Sequence, residues 1–300
     1  MRAEGDSWDI GSGVGATALR VATARALETV KPDPLVRDEY AARFVLASGD
    51  AKMIGQLEDP GGEQEWVLGS GMVALRTKFY DDYFRSAATD GIRQAVILAA
   101  GLDARAYRLP WPTGTTVFEL DQPEVLRFKR QVLADSGADP GADRREVAVD
   151  LRDDWLAALL DAGFDPSIPT AWTAEGLLPY LPGAAQDELF RQIVRLSAPG
   201  ARLAFDALGN HRDLDQVAEV QAEHTQNSPM AEINVRELFY ADERAEPEDW
   251  FTAHGWLATP VTVPALAARY HRTLPPIPEQ LQAIFNGSRY STVINPRTVK

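Results

Sequence analysis

Four residues of this chain, Gly101, Asp121, Asp150 and Glu175, each close a short apolar run. In an open α/β sheet, ligands settle beyond the carboxyl ends of the strands where the strand order reverses, so residues at strand ends are the ones that meet a ligand. Asp121 stands twenty positions after Gly101 (121 minus 101). That is the spacing of a carboxylate that accepts hydrogen bonds from the two hydroxyls of a ribose. The same aspartate precedes Gln122-Pro123 and a helical pattern, so capping that helix is a second role, compatible with the first.

The loop after the first run, Ala99-Ala100-Gly101-Leu102-Asp103-Ala104-Arg105-Ala106-Tyr107-Arg108, lacks the second and third glycines of a dinucleotide-binding turn, so a pyrophosphate would fit badly. A nucleoside cofactor with no phosphate and an amino-acid tail needs one close backbone approach, which Gly101 can give. Asp103 either orients such a tail or caps the following helix. Arg76, in Leu75-Arg76-Thr77-Lys78-Phe79, lies on a helical pattern leading to the first run. Its planar guanidinium suits bidentate capture of a carboxylate, or an ion pair with Asp81 or Asp82. Gly11-Ser12-Gly13-Val14-Gly15 is glycine-rich, but no strand precedes it and no Lys-Ser or Lys-Thr pair follows. An N-terminal turn accounts for it better than a phosphate loop.

The elements that must position these residues alternate from Gly91 onward as apolar runs and helical patterns, the signature of a parallel sheet covered on both faces. The spacing predicts strands over 94–101, 115–121, 146–151, 170–175 and 201–207, with helices over 123–136, around 155–160, and over 184–196. Beyond Gly209 the pattern loosens into a polar stretch from His211 to Asn227, a helix near 246–254, and two weak strands over 258–263 and 290–294. The first ninety residues read as a helical cap, with helices over 16–30 and 38–46. We therefore expect one domain over 1–300: a cap to residue 90, a cofactor-binding core over 91–208, and a substrate-side insertion with C-terminal strands over 209–300.

Composition narrows the function classes. A net charge of -14 disfavours a nucleic-acid partner, because neutralising phosphates needs a clustered basic face. The chain has no cysteine and four scattered histidines, which argues against disulfides and a metal site. No apolar run is long enough to cross a bilayer and residues 1–10 do not read as a secretory signal, so cytoplasmic residence without membrane association is expected. Twenty-five arginines against five lysines hint at a GC-rich bacterial genome. Oligomeric state is not legible.

Five motifs then come in the order and spacing of one family: Arg76-Thr77-Lys78-Phe79, Ile97 through Leu109, Phe118-Glu119-Leu120-Asp121-Gln122-Pro123, Val149-Asp150-Leu151-Arg152, and Ala174-Glu175-Gly176-Leu177-Leu178-Pro179-Tyr180-Leu181. The chain resembles the leucine carboxyl methyltransferase-like family of S-adenosylmethionine enzymes, in particular its actinobacterial (mycobacterial) branch. Ser7-Trp8-Asp9 and Val14-Gly15-Ala16-Thr17-Ala18 resemble that branch's N-terminal signature. The resemblance covers residues 7 to 208 strongly and the rest loosely. It implies the class I methyltransferase (Rossmann-like) fold, a doubly wound sheet of about seven strands with the last one antiparallel.

Carried over position by position, the resemblance puts Arg76 on the methionine carboxylate and Gly101 against the methionine and ribose part. Asp121 takes the ribose hydroxyls, Asp150 and Leu151 the adenine, and Glu175 the methionyl amino end. Tyr180 matches a tyrosine near the reacting centre, although a tyrosine just past a buried strand is also a common core residue with a satisfied hydroxyl. The expected activity is O-methylation of a small-molecule carboxylate or hydroxyl. A hydroxyl acceptor needs a base, for which Tyr180, Glu175, His211 and His271 are candidates. The alternatives are an S-adenosylmethionine-binding regulatory protein without catalysis and a nicotinamide oxidoreductase, the latter disfavoured by the missing glycines.

Overall fold

Alternation at period two builds the sheet. The computed structural model describes residues 13–59, 64–209, 239–274, 276–277 and 279–296. In it β1 (Gln94–Leu98) lies between β2 (Thr116–Asp121) and β4 (Thr170–Ala174), β2 pairs outward with β3 (Asp143–Ala148) and β4 with β5 (Arg202–Ala207), all parallel. β7 (Arg289–Ile294) then runs antiparallel between β5 and β6 (Leu257–Thr262). The order is β3-β2-β1-β4-β5-β7-β6, so the chain leaves β1 in one direction to build β2 and β3 and returns past it to build β4 and β5. The switch point between β1 and β4 opens a crevice at the carboxyl ends of the strands.

The third strand is displaced from its expected position: it covers Asp143–Ala148 rather than 146–151, and Asp150 lies two residues beyond its end. β1 and β4 likewise stop at Leu98 and Ala174, leaving Gly101 and Glu175 in the turns that follow.

Residues of opposite parity feed opposite layers. Val96, Leu98, Phe118 and Leu120 pack on one face with Trp155 of α7 (Trp155–Asp161), Phe190 of α8 (Gly183–Arg195) and Phe251 of α9 (Pro247–Ala253). Ala95, Ile97 and Val117 pack on the other with Phe79, Tyr83 and Phe84 of α4 (Gln64–Thr89) and Leu266 of α10 (Val263–Arg269). The helix over 64–89 is thus a layer of the sheet as well as part of the segment expected to form a cap.

The remaining N-terminal helices are α1 (Gly13–Thr29), α2 (Ala41–Ser48) and α3 (Ala51–Glu58). Leu19, Ala22, Phe44, Val45 and Met53 pack against Leu102 and Ala104 beyond β1 and against Val132 and Leu133 of α6 (Pro123–Asp135). The sequence reading did not anticipate α3, whose start is fixed by Asp50 accepting hydrogen bonds from the Lys52 and Met53 N–H groups at 3.0 and 2.9 Å. Asp50→Ala is expected to cost about 1 kcal/mol, read as a lower urea midpoint with unchanged slope. A change in cofactor affinity larger than the stability loss would instead place α3 within the ligand site.

Among the described residues no helix is long and apolar enough to cross a membrane. The polar stretch from His211 to Asn227 and the Ser7-Trp8-Asp9 motif lie outside the described residues.

Candidate active site

Beyond β1 the backbone turns sharply, with Ala99 and Gly101 both left-handed at φ +50° and +47°. Holding an alanine there costs about 1–2 kcal/mol, and the turn is fixed from β2. The Ala100 N–H donates to the Leu120 carbonyl at 2.9 Å and the Gly101 N–H to Asp121 Oδ2 at 2.6 Å. Asp121 Oδ1 accepts from the Gln122 N–H at 2.7 Å. The N-cap of α6 is Gln122, and it makes no side-chain capping bond, so the capping role considered for Asp121 is not the one observed. Each oxygen keeps a lone pair for a further donor.

Below this turn lies a chain of ion pairs centred on Arg105, which is 3% exposed, in the short helix α5 (Arg105–Arg108). Its Nε donates to Asp81 Oδ1 at 2.8 Å, and its Nη1 to Asp103 Oδ2 at 2.5 Å and Glu175 Oε2 at 2.7 Å. Arg108 grips Asp81 with both terminal nitrogens. Arg76 Nε donates to Glu175 Oε1 at 3.0 Å. The ion pair considered for Arg76 on sequence therefore forms across the fold with Glu175, not with Asp81 or Asp82. Burial works against the Arg76 charge, but the carboxylates of Glu175 and Asp206 outweigh it and hold its pKa above the ordinary value. Burial also opposes ionisation of Asp103, yet Arg105, Lys129 and Arg108 pull its pKa down to about 2. Its Oδ1 accepts the Arg105 N–H at 2.6 Å, but the N-cap of α5 is Ala104 and no side chain caps that helix, so the capping role considered for Asp103 is not the one observed: its carboxylate holds Arg105.

These groups enclose a cavity of about 660 Å³ lined by all eight sequence-derived residues: Arg76, Gly101, Asp103, Asp121, Asp150, Leu151, Glu175 and Tyr180. At its β2–β3 end, Asp150 is held by Gln122 Nε2 at 3.0 Å and by the Arg152 guanidinium. At the opposite end Tyr180, on the single turn Leu178–Tyr180, stands edge-on to Phe239 with ring centroids 4.9 Å apart. The turn is pinned by a later segment: the Tyr240 N–H reaches the Pro179 carbonyl and Arg244 Nη1 the Leu178 carbonyl, at 3.0 and 3.1 Å.

The lining residues missed on sequence include Arg25, Arg105 and Asp206. Arg25 joins α1 to the β1 turn by donating to Asp38 Oδ2 at 2.8 Å and to the Leu102 carbonyl at 2.7 Å. Asp206 stands one residue before the end of β5, and the strand-end argument, carried one strand further, would have found it. Its Oδ1 accepts the Gly176 N–H at 2.6 Å and the Tyr80 hydroxyl at 2.8 Å. Gly176 is left-handed at φ +61°, and a Cβ there would meet Arg76 Nη1 at 3.3 Å.

Of the histidines considered as bases, His271 is exposed and does not line the cavity, and His211 lies outside the described residues. Gly15 and Thr17, from the glycine-rich N-terminal stretch, line the cavity from α1. That helix begins at Gly13, before the expected Ala16.

A profile of the leucine carboxyl methyltransferase family matches residues 18–194. A Rhodococcus jostii protein assigned as an S-adenosyl-L-methionine-dependent methyltransferase is 55% identical, covering 98% of this chain and 100% of its own. A Mycobacteroides abscessus protein with the same assignment is 50% identical over 98% of this chain and 96% of its own. Among solved structures, a Thermobifida fusca protein assigned as a methyltransferase superposes with a TM-score of 0.52 at 19% identity, covering 93% of this chain and 94% of that one. At that identity the likeness concerns the fold.

Proposed function

Since the chain belongs to the leucine carboxyl methyltransferase family and is an S-adenosylmethionine-dependent methyltransferase, we propose that it O-methylates a small-molecule carboxylate or hydroxyl. The observation that carries the residue assignments is the convergence of eight strand-end and helix residues on one cavity, with Asp121 poised to accept further hydrogen bonds.

The donor set fits the cofactor. Asp121 offers lone pairs for vicinal hydroxyls, and Leu151 lines the cavity with an N–H that has no hydrogen-bond partner among the described residues. Arg76 contacts Glu175 through Nε alone, leaving its terminal nitrogens for a carboxylate. In this reading Arg76 holds the methionine carboxylate, Gly101 approaches the methionine and ribose, and Glu175 takes the amino group. Asp121 takes the ribose, and Asp150 and Leu151 take the adenine. Asp103 acts through Arg105, whose guanidinium it shares with Glu175.

When bound, S-adenosylmethionine supplies a methyl group already activated on a sulfonium. The protein's work is therefore alignment and exclusion of water. Arg105 fixes the Glu175 carboxylate. The Leu178–Tyr180 turn, held by Tyr240 and Arg244, walls the acceptor end, where Tyr180 lies beside the acceptor.

Calorimetric titration with S-adenosylmethionine and with a nicotinamide dinucleotide tests the cofactor. Saturable binding of the first alone is expected. Mass spectrometry of a panel of carboxylates, phenols, amines and thiols incubated with deuterated-methyl cofactor tests the reaction. Label on oxygen supports the proposal, and label on nitrogen or sulfur overturns it.

A further inference from the structure

Two carboxylates facing the cavity, Asp121 and Asp206, carry no ion-pair partner among the described residues, and they are held alike. Asp121 is the last residue of its strand and Asp206 the last but one of its own, and each accepts, at 2.6 Å, the N–H of a left-handed glycine beyond the neighbouring strand: Gly101 for Asp121 and Gly176 for Asp206. The first is assigned to ribose. The second lies across the switch point, beside Arg76 and Glu175, and in register with Tyr290 of β7.

We propose that Asp206 is the proton acceptor of the reaction and that the methyl acceptor is a neutral hydroxyl compound, a phenol or an alcohol. This rests on the O-methyltransferase reading and narrows it. Oδ1 of Asp206 is taken by Gly176 and Tyr80, whereas Oδ2 bonds no described residue and is placed to receive an O–H. The hydroxyl proton passes to Asp206 Oδ2 while the acceptor oxygen's lone pair forms the bond to the methyl carbon. The carbon–sulfur bond breaks with its electron pair on sulfur, and the proton then leaves the Asp206 carboxyl for solvent.

Charge accounting favours a hydroxyl over a carboxylate acceptor. Each arginine lining the cavity already faces a carboxylate: Arg25 faces Asp38, Arg76 faces Glu175, Arg105 faces Asp81, Asp103 and Glu175, Arg152 faces Asp150, and Arg289 faces Glu246 and Glu248. With the terminal nitrogens of Arg76 assigned to the methionine carboxylate, no described arginine lining the cavity is left without a carboxylate partner to receive an acceptor carboxylate, and ionised Asp206 would repel one. Burial raises the Asp206 pKa, with Arg76 and the Gly176 and Tyr80 hydrogen bonds opposing, which makes it a better base than a solvated aspartate. The other charged or titratable groups facing it are Tyr80, Glu175 and Tyr290.

Phenol and benzoate, titrated in the presence of S-adenosylhomocysteine, are the probes. Wild type should bind phenol at least about tenfold more tightly than benzoate. Asp206→Asn, which keeps an oxygen for Gly176 and Tyr80, should bind S-adenosylhomocysteine as wild type does and lose that preference. Its turnover of the best hydroxyl acceptor should fall roughly 10²-fold or more. Absent phenol binding, benzoate binding as tightly in wild type, or an unchanged preference in Asp206→Asn overturns the inference while leaving O-methylation standing. Methylation of amines or thiols instead overturns the broader reading. Should the variant fail to fold, the wild-type comparison of the two probes decides.

Discussion

Asp121→Ala is expected to weaken S-adenosylmethionine binding by roughly 10²- to 10⁴-fold. Two hydrogen bonds to a charged acceptor disappear, each worth about 1.5–3 kcal/mol. Folding should change far less, because the substitution also removes a buried charge and leaves the Gly101 and Gln122 N–H groups beside a cavity that water can enter. Burial raises the Asp121 pKa against the opposing Gly101 and Gln122 hydrogen bonds. Its ionised form thus works against folding, a penalty that grows as pH rises from the ordinary carboxylate range through the raised value. For binding the sign is reversed, since only the ionised carboxylate accepts from both hydroxyls. Affinity should therefore fall on acidification at a pH above the usual aspartate range. Calorimetry across pH on wild type and variant checks both statements, and a variant within tenfold of wild type would move the ribose anchor elsewhere.

Arg105→Met should act on the scaffold itself. Asp81, Asp103 and Glu175 converge on this guanidinium, and removing one partner of a buried ionic cluster costs about 3–5 kcal/mol. For a chain of this size that lowers the melting temperature on the order of 10 °C. Arg108 still holds Asp81, so the strain falls on Asp103 and Glu175, and adding Asp103→Asn should recover part of the loss. Because the Asp103 pKa is held at about 2, below its unfolded value, its contribution is present above the ordinary carboxylate range and disappears as pH falls towards 2. Acid unfolding of wild type should carry this step, and Arg105→Met should lack it. An unchanged melting temperature would remove Arg105 from the scaffold.

The interior strands were legible because burial on both faces makes them continuous apolar runs, as in Gln94–Leu98 and Thr170–Ala174. The third strand was misplaced for the complementary reason. β3 is an edge strand, its first residues are Asp143, Arg144 and Arg145, and ion pairs such as Arg144 with Glu119 at 2.6 Å replace apolar packing. The sheet-order switch let strand-end chemistry point to Asp121 and Glu175. What escaped was pairing across distant segments: nothing local in Ala104-Arg105-Ala106 announces that Arg105 meets Asp81, and the Arg76–Glu175 pair spans 99 positions.

Asp121 and Asp206, the two cavity carboxylates without an ion-pair partner among the described residues, also bear on how the enzyme empties. The guest arrives with one net positive charge and, once its methyl group has gone, is electrically neutral. A cavity that presents two carboxylates with no ion-pair partner among the described residues attracts the first more than the second. The electrostatics that favour loading therefore weaken the grip on the spent cofactor, and each turnover clears the site for the next.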